Sequence, residues 1–203
     1  MKKILVLVGN DKIGRSAIHA LEKTQMDSDL NILIDSSSNF KRVIELLKKK
    51  KISPYLLFLM FTSELFRKRI LIKNYKKIYS VDELKKIIKK DFPKIVLMYR
   101  CGLIINKDIL NLGISFYNIH ASKLPDYGGI GTIYKALKDK SYNQCATLHE
   151  VITKIDGGKV IDTYPYKLNK NQNYFKNEEI AYEAGTNLFI KSLKYIIKNI
   201  NKS

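Results

Sequence analysis

The sequence predicts an α/β protein with a mostly parallel sheet that is flanked by helices and completed by a C-terminal strand pair and a closing helix. Short continuous apolar runs, which are typical of strands covered on both faces, alternate with amphipathic segments in the first half of the chain. Two alternating segments joined by a glycine turn follow, and the chain ends in a long helical pattern. Because no linker, repeat or low-complexity tract interrupts this order, we expect residues 1–203 to form a single domain.

Three buried strands are predicted in the first half of the chain. Residues 3–9 read KILVLVG, and a helix is expected to open from this strand at about Gly14. Residues 31–37 read NILIDSS and residues 94–100 read KIVLMYR, and each is a strand of the same kind. Strands that alternate with helices are expected to pair in parallel, because each crossover helix returns the chain to the end of the sheet at which the previous strand began.

Helices are predicted between these strands. KRVIELLKKK at 41–50 is amphipathic, and residues 52–72 are ambiguous but helical from about Pro54 onward. Ser80 is followed three residues later by Glu83, which makes a capping box at the start of a further helix. These helices supply the layers that flank the sheet.

The second half of the chain changes in character. ISFYNIH predicts a strand over about 114–118 that runs into a loop containing Pro125. Residues 144–152 and 159–168 have strand-like alternation and are joined by the turn KIDGG, so they predict a hairpin. A helix over about 178–200 is expected to close the chain.

Composition and apolar run lengths indicate the cellular compartment in which the protein is expected. The longest apolar run, YLLFLMF at 55–61, is far shorter than the roughly 18–20 residues that span a bilayer. The N-terminal MKKILVLVGN is not followed by the small-residue cleavage site of a secretion signal. Cys101 and Cys145 are far apart and form no paired motif, which fits a reducing compartment. We therefore expect a cytoplasmic protein without a membrane partner.

The formal charge of +18 is concentrated in one part of the chain. Residues 41–90 contain 16 Lys and Arg against 4 Asp and Glu, so two thirds of the net charge lies there. Such a concentration could attract phosphorylated ligands or nucleic acid. The plainer interpretation is that the lysines solvate helix faces, and the sequence leaves the role of this segment open.

Asn118 and His120 are the first candidates for a functional site. They lie at the end of a predicted strand, where the ligand crevices of open α/β sheets are found. Residues two apart in a strand share a face, so an amide and an imidazole are expected to converge. Such a pair suits a carbonyl whose oxygen becomes negative during acyl transfer. On spacing alone, a turn-capping Asn118 and a structural His120 remain the alternative.

Asp156 is the second candidate. It precedes two glycines in the hairpin turn, where an aspartate is by default a turn residue. In the functional interpretation its carboxylate lies near His120, orients the ring and keeps it protonated, because a nearby negative charge raises the pKa of a histidine. Spacing in the sequence does not decide between the two.

An ordered pattern, N-x-H-x-S-x-L-P-x-Y-x-G, then a helix with A-L, then T-x-H, then D-x-G, runs through residues 118–161. It is carried by Asn118, His120, Ser122, Leu124, Pro125, Tyr127, Gly129, Ala136, Leu137, Thr147, His149, Asp156 and Gly158. This segment closely resembles the core of the folate-dependent formyltransferases, which act on glycinamide ribonucleotide, methionyl-tRNA or amino sugars. The resemblance implies a Rossmann-like formyltransferase fold.

The same resemblance implies an N-formyltransferase that uses 10-formyltetrahydrofolate as cosubstrate and needs no metal. It implies a catalytic trio of Asn118, His120 and Asp156, in which the amide and the imidazole stabilise the oxyanion and the carboxylate assists proton movement. It places the folate ring in a slot between two walls, formed by Gly102, Leu103 and Ile104 and by Ile152, Ile155 and Asp156. His149 matches a family position and is expected to have a structural role on its strand.

The first loop of the chain, GNDKIG, lies on the expected acceptor side. It keeps Gly9 and Asn10 but does not reproduce the glycine-serine-asparagine phosphate loop of the glycinamide ribonucleotide enzymes. Together with Tyr127, these two residues are our candidates for binding the acceptor. The chain also departs from the family pattern at Lys123 and Gly128, which could reshape acceptor binding without removing the chemistry.

We favour a nucleotide-linked amino sugar as the acceptor, a phosphorylated small-molecule amine whose diphosphate the basic segment would attract. Glycinamide ribonucleotide of purine biosynthesis is the alternative. The chain leaves no room for the additional RNA-binding domain of the methionyl-tRNA enzymes, so a nucleic acid is not expected. A non-catalytic basic module that binds nucleic acid or a protein partner is the alternative of another class, and a homodimer stays open.

Overall fold

The computed structural model describes residues 3–38 and 40–200, and this part of the chain contains seven strands and seven α-helices. The strands are β1 (Ile4–Gly9), β2 (Asn31–Asp35), β3 (Lys76–Ile78), β4 (Ile95–Tyr99), β5 (Ser115–His120), β6 (Asn143–Glu150) and β7 (Val160–Lys167). The helices are α1 (Lys12–Glu22), α2 (Phe40–Lys48), α3 (Pro54–Phe66), α4 (Val81–Asp91), α5 (Lys107–Leu110), α6 (Thr132–Lys138) and α7 (Tyr174–Ile200).

The seven strands form one sheet in the order β3-β2-β1-β4-β5-β6-β7. β1 pairs in parallel with both β2 and β4, and β3 and β5 continue the parallel part on either side. β6 and β7 join in antiparallel fashion and form the C-terminal strand pair that the sequence predicts. The predicted fold class, a mostly parallel sheet flanked by helices with a strand pair and a closing helix, is confirmed.

Two apolar cores cover the faces of the sheet. On one face α1 and α7 pack against alternate residues of the central strands, including Val6 and Leu97. On the other face α4 and α5 pack against the intervening residues, including Leu7 and Val96. Successive strand residues point to opposite faces, so strands that are apolar throughout, such as β1, serve both cores.

The strand order reverses between β1 and β4. The chain runs outward from β1 to β2 and β3 and then returns to β4 on the other side of β1. In open α/β sheets, ligands bind outside the carboxyl ends of the strands at such a reversal. Residues 10–11 follow β1, residues 100–106 follow β4 and residues 121–131 follow β5 at this edge, and they form the rim of the candidate site.

The capping box predicted at Ser80 lies at the start of α4. Ser80 Oγ accepts a hydrogen bond from the N–H of Glu83 at 3.2 Å, and the Glu83 carboxylate accepts one from the N–H of Tyr79 at 2.9 Å. The Glu83 carboxylate therefore binds the N–H of Tyr79, the residue before the N-cap, and not the N–H of Ser80 itself. Together the two bonds fix the direction in which the chain enters α4.

α5 was not predicted from the sequence, and β3 and α7 also differ from the prediction. β3 was not expected, because only Ile78 of its three residues is buried while Lys76 and Lys77 are exposed, so it shows no apolar run. α7 begins at Tyr174 rather than at 178. Its first turn begins with Tyr174 and Phe175 and is held because buried Asn177 donates from its side chain to the carbonyl oxygen of Asn169 at 3.0 Å.

Candidate active site

Asn118 and His120 lie on the same face of the sheet near the carboxyl end of β5, as their spacing predicts. Ile119, between them, points into the opposite core. In the antiparallel pairing with β6, Asn118 lies opposite His149 and His120 lies opposite Thr147. The side chain of His120 is 15% exposed, so its ring borders the crevice and is otherwise enclosed by the protein.

Asp156 reaches the same face from the loop between β6 and β7. Its backbone has the left-handed conformation, with φ at 51°. Its Oδ2 accepts a hydrogen bond from the N–H of Gly129 at 2.7 Å and lies 3.8 Å from Nδ1 of His120. The side chain of Asp156 is only 12% exposed, so the loop directs the carboxylate towards the imidazole and not into solvent.

Gly158 allows the loop that carries Asp156 to fold back over β6. A Cβ at Gly158 would lie 1.9 Å from the carbonyl oxygen of Glu150, which is closer than any side chain can approach. The N–H of Glu150 donates to the carbonyl oxygen of Lys159 at 2.9 Å and closes the hairpin. The D-x-G spacing therefore has a steric reason, because the glycine lets the chain turn where the carboxylate can meet His120.

His149, on β6, contacts two of the three predicted catalytic residues. Its Nδ1 lies 2.8 Å from the carbonyl oxygen of Glu150, which can only accept, so Nδ1 carries the proton. Nε2 then accepts from Nδ2 of Asn118 at 3.2 Å and lies 3.6 Å from Oδ1 of Asp156. Beyond the structural role expected on its strand, His149 holds the amide of Asn118.

The surroundings of His120 favour the neutral imidazole. Nε2 lies 3.0 Å from the carbonyl oxygen of Tyr127 and therefore donates its hydrogen there. Burial lowers the pKa of His120 below its ordinary value, and this effect outweighs the carboxylate of Asp156, which raises it. The expectation that Asp156 keeps the ring protonated is wrong, because at 3.8 Å the carboxylate is beyond hydrogen-bond distance and does not offset the desolvation.

The two predicted walls of the folate slot lie after β4 and in the loop after β6. Ile104 is 54% exposed on the first wall, and Ile152 and Ile155 are 42% and 62% exposed on the second. Exposed isoleucines beside a polar site provide the apolar surface that a flat ring would cover. The assignment of Gly102, Leu103 and these three isoleucines to folate binding stays a prediction.

Asp35 is a residue that sequence reasoning missed. It lies at the end of β2 and is 3% exposed. Its Oδ2 accepts hydrogen bonds from the N–H groups of Gly102 at 2.6 Å and Leu103 at 3.0 Å, and its Oδ1 accepts one from the N–H of Ser37 at 2.8 Å. A buried carboxylate with three backbone donors fixes the loop after β4. An aspartate after an apolar run is too common in sequences to reveal this.

The loop after β1 is occupied by the chain's own carboxylates. Asp11 caps α1 by accepting from the N–H of Gly14 at 2.7 Å, and Glu64 accepts from the N–H of Lys12 at 2.9 Å. These N–H groups are the donors that a phosphate at the start of α1 would use. Gly9 has a steric role, because a Cβ there would lie 2.2 Å from the carbonyl oxygen of Arg100.

Asn10 and Arg100 complete this part of the rim. Asn10 donates to Ser36 Oγ at 3.0 Å and accepts from Arg15 at 2.9 Å. Arg100 forms an ion pair with Asp11, and its guanidinium carbon lies 4.4 Å from the centre of the Tyr182 ring. The side chain of Asn10 is thus hydrogen-bonded to other residues of the protein, and Gly9 has a steric role. These contacts do not support the assignment of the two residues to acceptor binding, which stays a prediction.

Tyr127 contributes its backbone to the site. Its carbonyl oxygen accepts from His120, whereas its hydroxyl donates to Oδ2 of Asp139 at 3.3 Å, at the end of α6. The ring packs against the small core that includes Ile133 and Leu168. These contacts hold His120 and α6 in place, and the assignment of Tyr127 to acceptor binding stays a prediction.

The site thus contains two histidines and one carboxylate around one space. Within residues 3–38 and 40–200, no three His, Cys, Asp or Glu side chains are grouped so that they could hold a metal ion. The arrangement offers an amide N–H donor from Asn118, a titratable ring from His120 and a proton acceptor from Asp156. Such a set is suited to a reaction at a carbonyl carbon.

The fold and the site place the chain in the class of open α/β-sheet proteins whose ligand crevice lies at the carboxyl ends of the strands. The chain belongs to the Formyl transferase family, whose model matches residues 2–173. The resemblance drawn from residues 118–161 is thereby confirmed. The match extends well beyond that segment, from the first strand through β7 to the residue before α7.

Comparisons with individual proteins agree with this membership. A methionyl-tRNA formyltransferase of Staphylococcus aureus (strain Newman) is 27% identical over 128 residues, which cover 63% of this chain and 41% of the relative. The chain therefore spans about two fifths of the length of such curated relatives.

Solved structures share the fold. A phosphoribosylglycinamide formyltransferase from Anaplasma phagocytophilum has a TM-score of 0.69 at 15% identity, over 98% of this chain and 87% of that one. An N-formyltransferase from Helicobacter canadensis, crystallised with folinic acid and dTDP-3-aminofucose, has a TM-score of 0.65 at 19% identity, over 98% of this chain and 65% of that one. At these identities the likeness concerns the fold alone.

Proposed function

We propose that this chain transfers a formyl group from 10-formyltetrahydrofolate to a primary amine on a small-molecule acceptor. The observation that carries the proposal is the convergence of Asn118, His120 and Asp156, with His149 holding the amide of Asn118. Membership of the Formyl transferase family supports it. Each of the three groups has a role in acyl transfer to an amine.

The reaction begins when the acceptor amine attacks the formyl carbon, which forms a C–N bond and a tetrahedral oxyanion. The amide of Asn118 and the ring of His120 stabilise this oxygen, and one such donor is worth about 10²–10³ in rate. The bond from carbon to N10 of the folate then breaks. The amine nitrogen loses one proton and N10 gains one, so the products are a formamide and tetrahydrofolate.

His120 and Asp156 provide the path for that proton. Since burial lowers the pKa of His120, the ring is neutral at neutral pH when the reaction begins. Nε2 keeps its hydrogen on the carbonyl of Tyr127, which leaves Nδ1 free to take the amine proton from Asp156, directly or through water. The imidazolium therefore forms as the oxyanion forms, and Nδ1 later releases the proton to N10. Acid–base help of this kind contributes roughly 10²–10⁴ in rate.

The folate donor is assigned to the slot between the loop after β4 and the loop after β6. Asp35 fixes the first loop through Gly102 and Leu103, so this wall is rigid at its backbone. The exposed side chains of Ile104 and Ile155 would cover the faces of the ring. The Helicobacter canadensis relative, crystallised with folinic acid, is consistent with a reduced folate in this family.

For the acceptor we favour a nucleotide-linked amino sugar. The start of α1 is where the glycinamide ribonucleotide enzymes have their phosphate loop, and here Asp11 and Glu64 already take up its N–H groups. A phosphate in that position would meet two carboxylates, which repel it. A sugar nucleotide, whose diphosphate is separated from the amine by the sugar, does not need this loop. Glycinamide ribonucleotide remains the alternative, because the Anaplasma phagocytophilum structure of that class shares the fold.

The test is incubation of the protein with 10-formyltetrahydrofolate and a panel of amines, followed by mass spectrometry. The panel contains glycinamide ribonucleotide and several nucleotide-linked 3- and 4-amino sugars. We expect a gain of about 28 dalton, the mass of CO transferred in an acyl reaction, on an amino sugar. A product on glycinamide ribonucleotide alone would move the assignment to purine synthesis.

His120→Ala serves as the inactive control, and His19→Ala, which alters a histidine on α1 outside the site, serves as its matched counterpart. Absence of formyl transfer to every amine, together with RNA binding that weakens in salt and no binding of folate, would replace the enzyme with a basic binding module.

A further inference from the structure

Helix α3 carries large apolar side chains on its outer side. Tyr55, Phe58, Phe61 and Leu65 are each between 59% and 64% exposed, and Phe66 is 78% exposed. The first four recur at intervals of three or four residues, so they lie along one side of the helix. We refer to these five side chains as the α3 face. It is the opposite of the usual arrangement, in which a surface helix turns its polar side to solvent.

The α3 face is large for an exposed apolar surface. At 150–250 Å² for each aromatic side chain, the exposed parts of its four aromatic residues amount to about 400–650 Å². The largest apolar patch on a typical soluble monomer is about 300–600 Å² and is often functional. Single exposed apolar residues need no explanation, but a continuous face of this size indicates a binding surface.

Basic residues border the α3 face at both ends of the helix. Lysines fill positions 48–51 before α3, and Lys68 and Arg69 follow it, whereas Arg67 is enclosed and forms ion pairs with Glu64 and Glu178. Residues 46–77 contain 10 Lys and Arg and a single acidic residue, Glu64. Glu64 is itself engaged by the N–H of Lys12 and the guanidinium of Arg67. An aromatic surface between two basic clusters has the composition of segments that lie on anionic membranes.

A second copy of the chain fits this surface poorly. Two α3 faces packed together would bring the basic clusters of both copies into one interface, where like charges oppose association. The area also falls below the roughly 800 Å² per partner of a standard interface. A bilayer with anionic headgroups and an apolar interior would pair with the basic residues and cover the aromatic side chains.

We propose that the α3 face binds the surface of a bilayer that contains anionic phospholipid. Phe58, Phe61 and Phe66 insert at the level of the headgroups, and the basic residues at both ends of α3 contact the phosphates. In the part of the chain that the structure describes, no helix is both long and apolar enough to cross a bilayer. The proposed contact is with the bilayer surface. This proposal replaces the expectation of no membrane partner, which rested on the lack of a spanning segment, and it gives the basic segment 41–90 a role.

The α3 face lies beside the candidate active site. The ring of Tyr55 meets that of Tyr134 edge to face at a centroid distance of 6.1 Å. Leu56 fills the space beside Gly131, where a Cβ would lie 2.3 Å from the leucine side chain. Gly129, in the same loop as Gly131, holds Asp156. A chain bound through α3 would therefore hold the loop that carries Gly129 and Gly131 close to the membrane.

The test is co-sedimentation of the full chain with vesicles of phosphatidylcholine alone or of phosphatidylcholine with phosphatidylglycerol. We expect binding to the mixed vesicles, weaker binding at high salt and little binding to the neutral vesicles. The double variant Phe58→Ser/Phe61→Ser should reduce binding to mixed vesicles by about tenfold or more, because the inserted apolar surface is lost. Lys68→Glu/Arg69→Glu should reduce it to a similar extent.

Matched controls lie at the far end of α7. Tyr195→Ser removes an aromatic side chain that is 71% exposed, and Lys194→Glu/Lys198→Glu makes the same charge change at exposed positions. Neither control should change vesicle binding, and thermal melts followed by circular dichroism report whether each variant is folded. The proposal fails if the mixed vesicles do not retain the protein or if the control pairs reduce binding equally. It also fails if Phe58→Ser/Phe61→Ser dissociates a dimer seen by light scattering, since the partner would then be a second copy.

Discussion

The carboxylate of Asp156 lies 3.8 Å from Nδ1 of His120, although one residue belongs to a hairpin loop and the other to a strand. This separation exceeds hydrogen-bond distance, but it is short enough for the carboxylate to stabilise an imidazolium that forms during the reaction. Tyr127 holds the other nitrogen of the imidazole, and Gly129 holds the carboxylate. Both groups are therefore fixed, and a proton can be exchanged in the space between them.

Replacement of His120 by alanine should abolish most of the formyl transfer while the protein remains folded. The ring provides stabilisation of the oxyanion, worth about 10²–10³ in rate for one donor, and it also accepts the proton. We expect kcat/KM to fall by at least that factor, measured as formamide formation with the acceptor that the amine panel identifies. His19→Ala, on the surface of α1, should retain normal turnover. Near-normal turnover of His120→Ala in a folded protein would remove His120 from the mechanism.

Replacement of Asp156 by asparagine should change the pH dependence of kcat/KM. Asp156 is the neighbour that raises the pKa of His120 against the effect of burial, so its removal lowers that pKa further. The limb of the profile that His120 controls should therefore move to lower pH. The rate should also fall by about 10²–10⁴, because the proton acceptor is lost. Asparagine tolerates the left-handed backbone of this position, so the loop should keep its shape. An unchanged profile would leave Asp156 as a turn residue.

The parts of the site that the sequence predicts are those that follow from local geometry. Asn118 and His120 share a face because side chains alternate along a strand, and this holds whatever the strand packs against. The strand-to-loop transition after β5 was visible in the change from apolar residues to Pro125 and the glycines. Asp156 could be linked to His120 only through the family resemblance, because the meeting depends on how the hairpin folds.

The parts that the sequence did not predict depend on contacts between distant segments. The role of His149 follows from the register that sets it opposite Asn118, and no single-sequence pattern fixes that register. Asp35, at the end of β2, accepts hydrogen bonds from the loop after β4, which lies far along the chain. The lowered pKa of His120 results from burial of the ring in the folded protein, whereas the sequence suggested only the charge of Asp156. In each case the deciding quantity is a distance that the fold creates.

Replacement of Asp35 by alanine should weaken folate binding more than it slows the chemical step. Without the carboxylate, the N–H groups of Gly102 and Leu103 lose their acceptor, and the loop after β4 is no longer fixed. We expect the KM for 10-formyltetrahydrofolate to rise by about tenfold or more while kcat changes little. The free energy of unfolding should fall by about 1–3 kcal/mol, the cost of an unsatisfied buried donor.

Two variants sharpen this test. Asp35→Asn keeps an acceptor oxygen, so its KM for 10-formyltetrahydrofolate should lie between those of Asp35→Ala and the unmodified protein. A loss of stability alone would not explain such an intermediate KM. Asp108→Ala alters an aspartate whose side chain is 72% exposed at the start of α5 and should leave both constants unchanged. If kcat falls in Asp35→Ala by about the same factor by which KM rises, the carboxylate supports the whole site and not the folate wall in particular.

Burial of the neutral His120 should make the protein less stable at acid pH. In the unfolded chain a histidine takes up its proton near a pKa of about 6.5, whereas in the folded protein burial lowers the pKa of His120. Between these two values the unfolded chain binds more protons, so the free energy of unfolding falls as the pH drops below about 6.5. We expect His120→Gln to reduce this slope in urea denaturation at several pH values, with His19→Gln as the matched control. An equal slope in His120→Gln and the unmodified protein would contradict the lowered pKa.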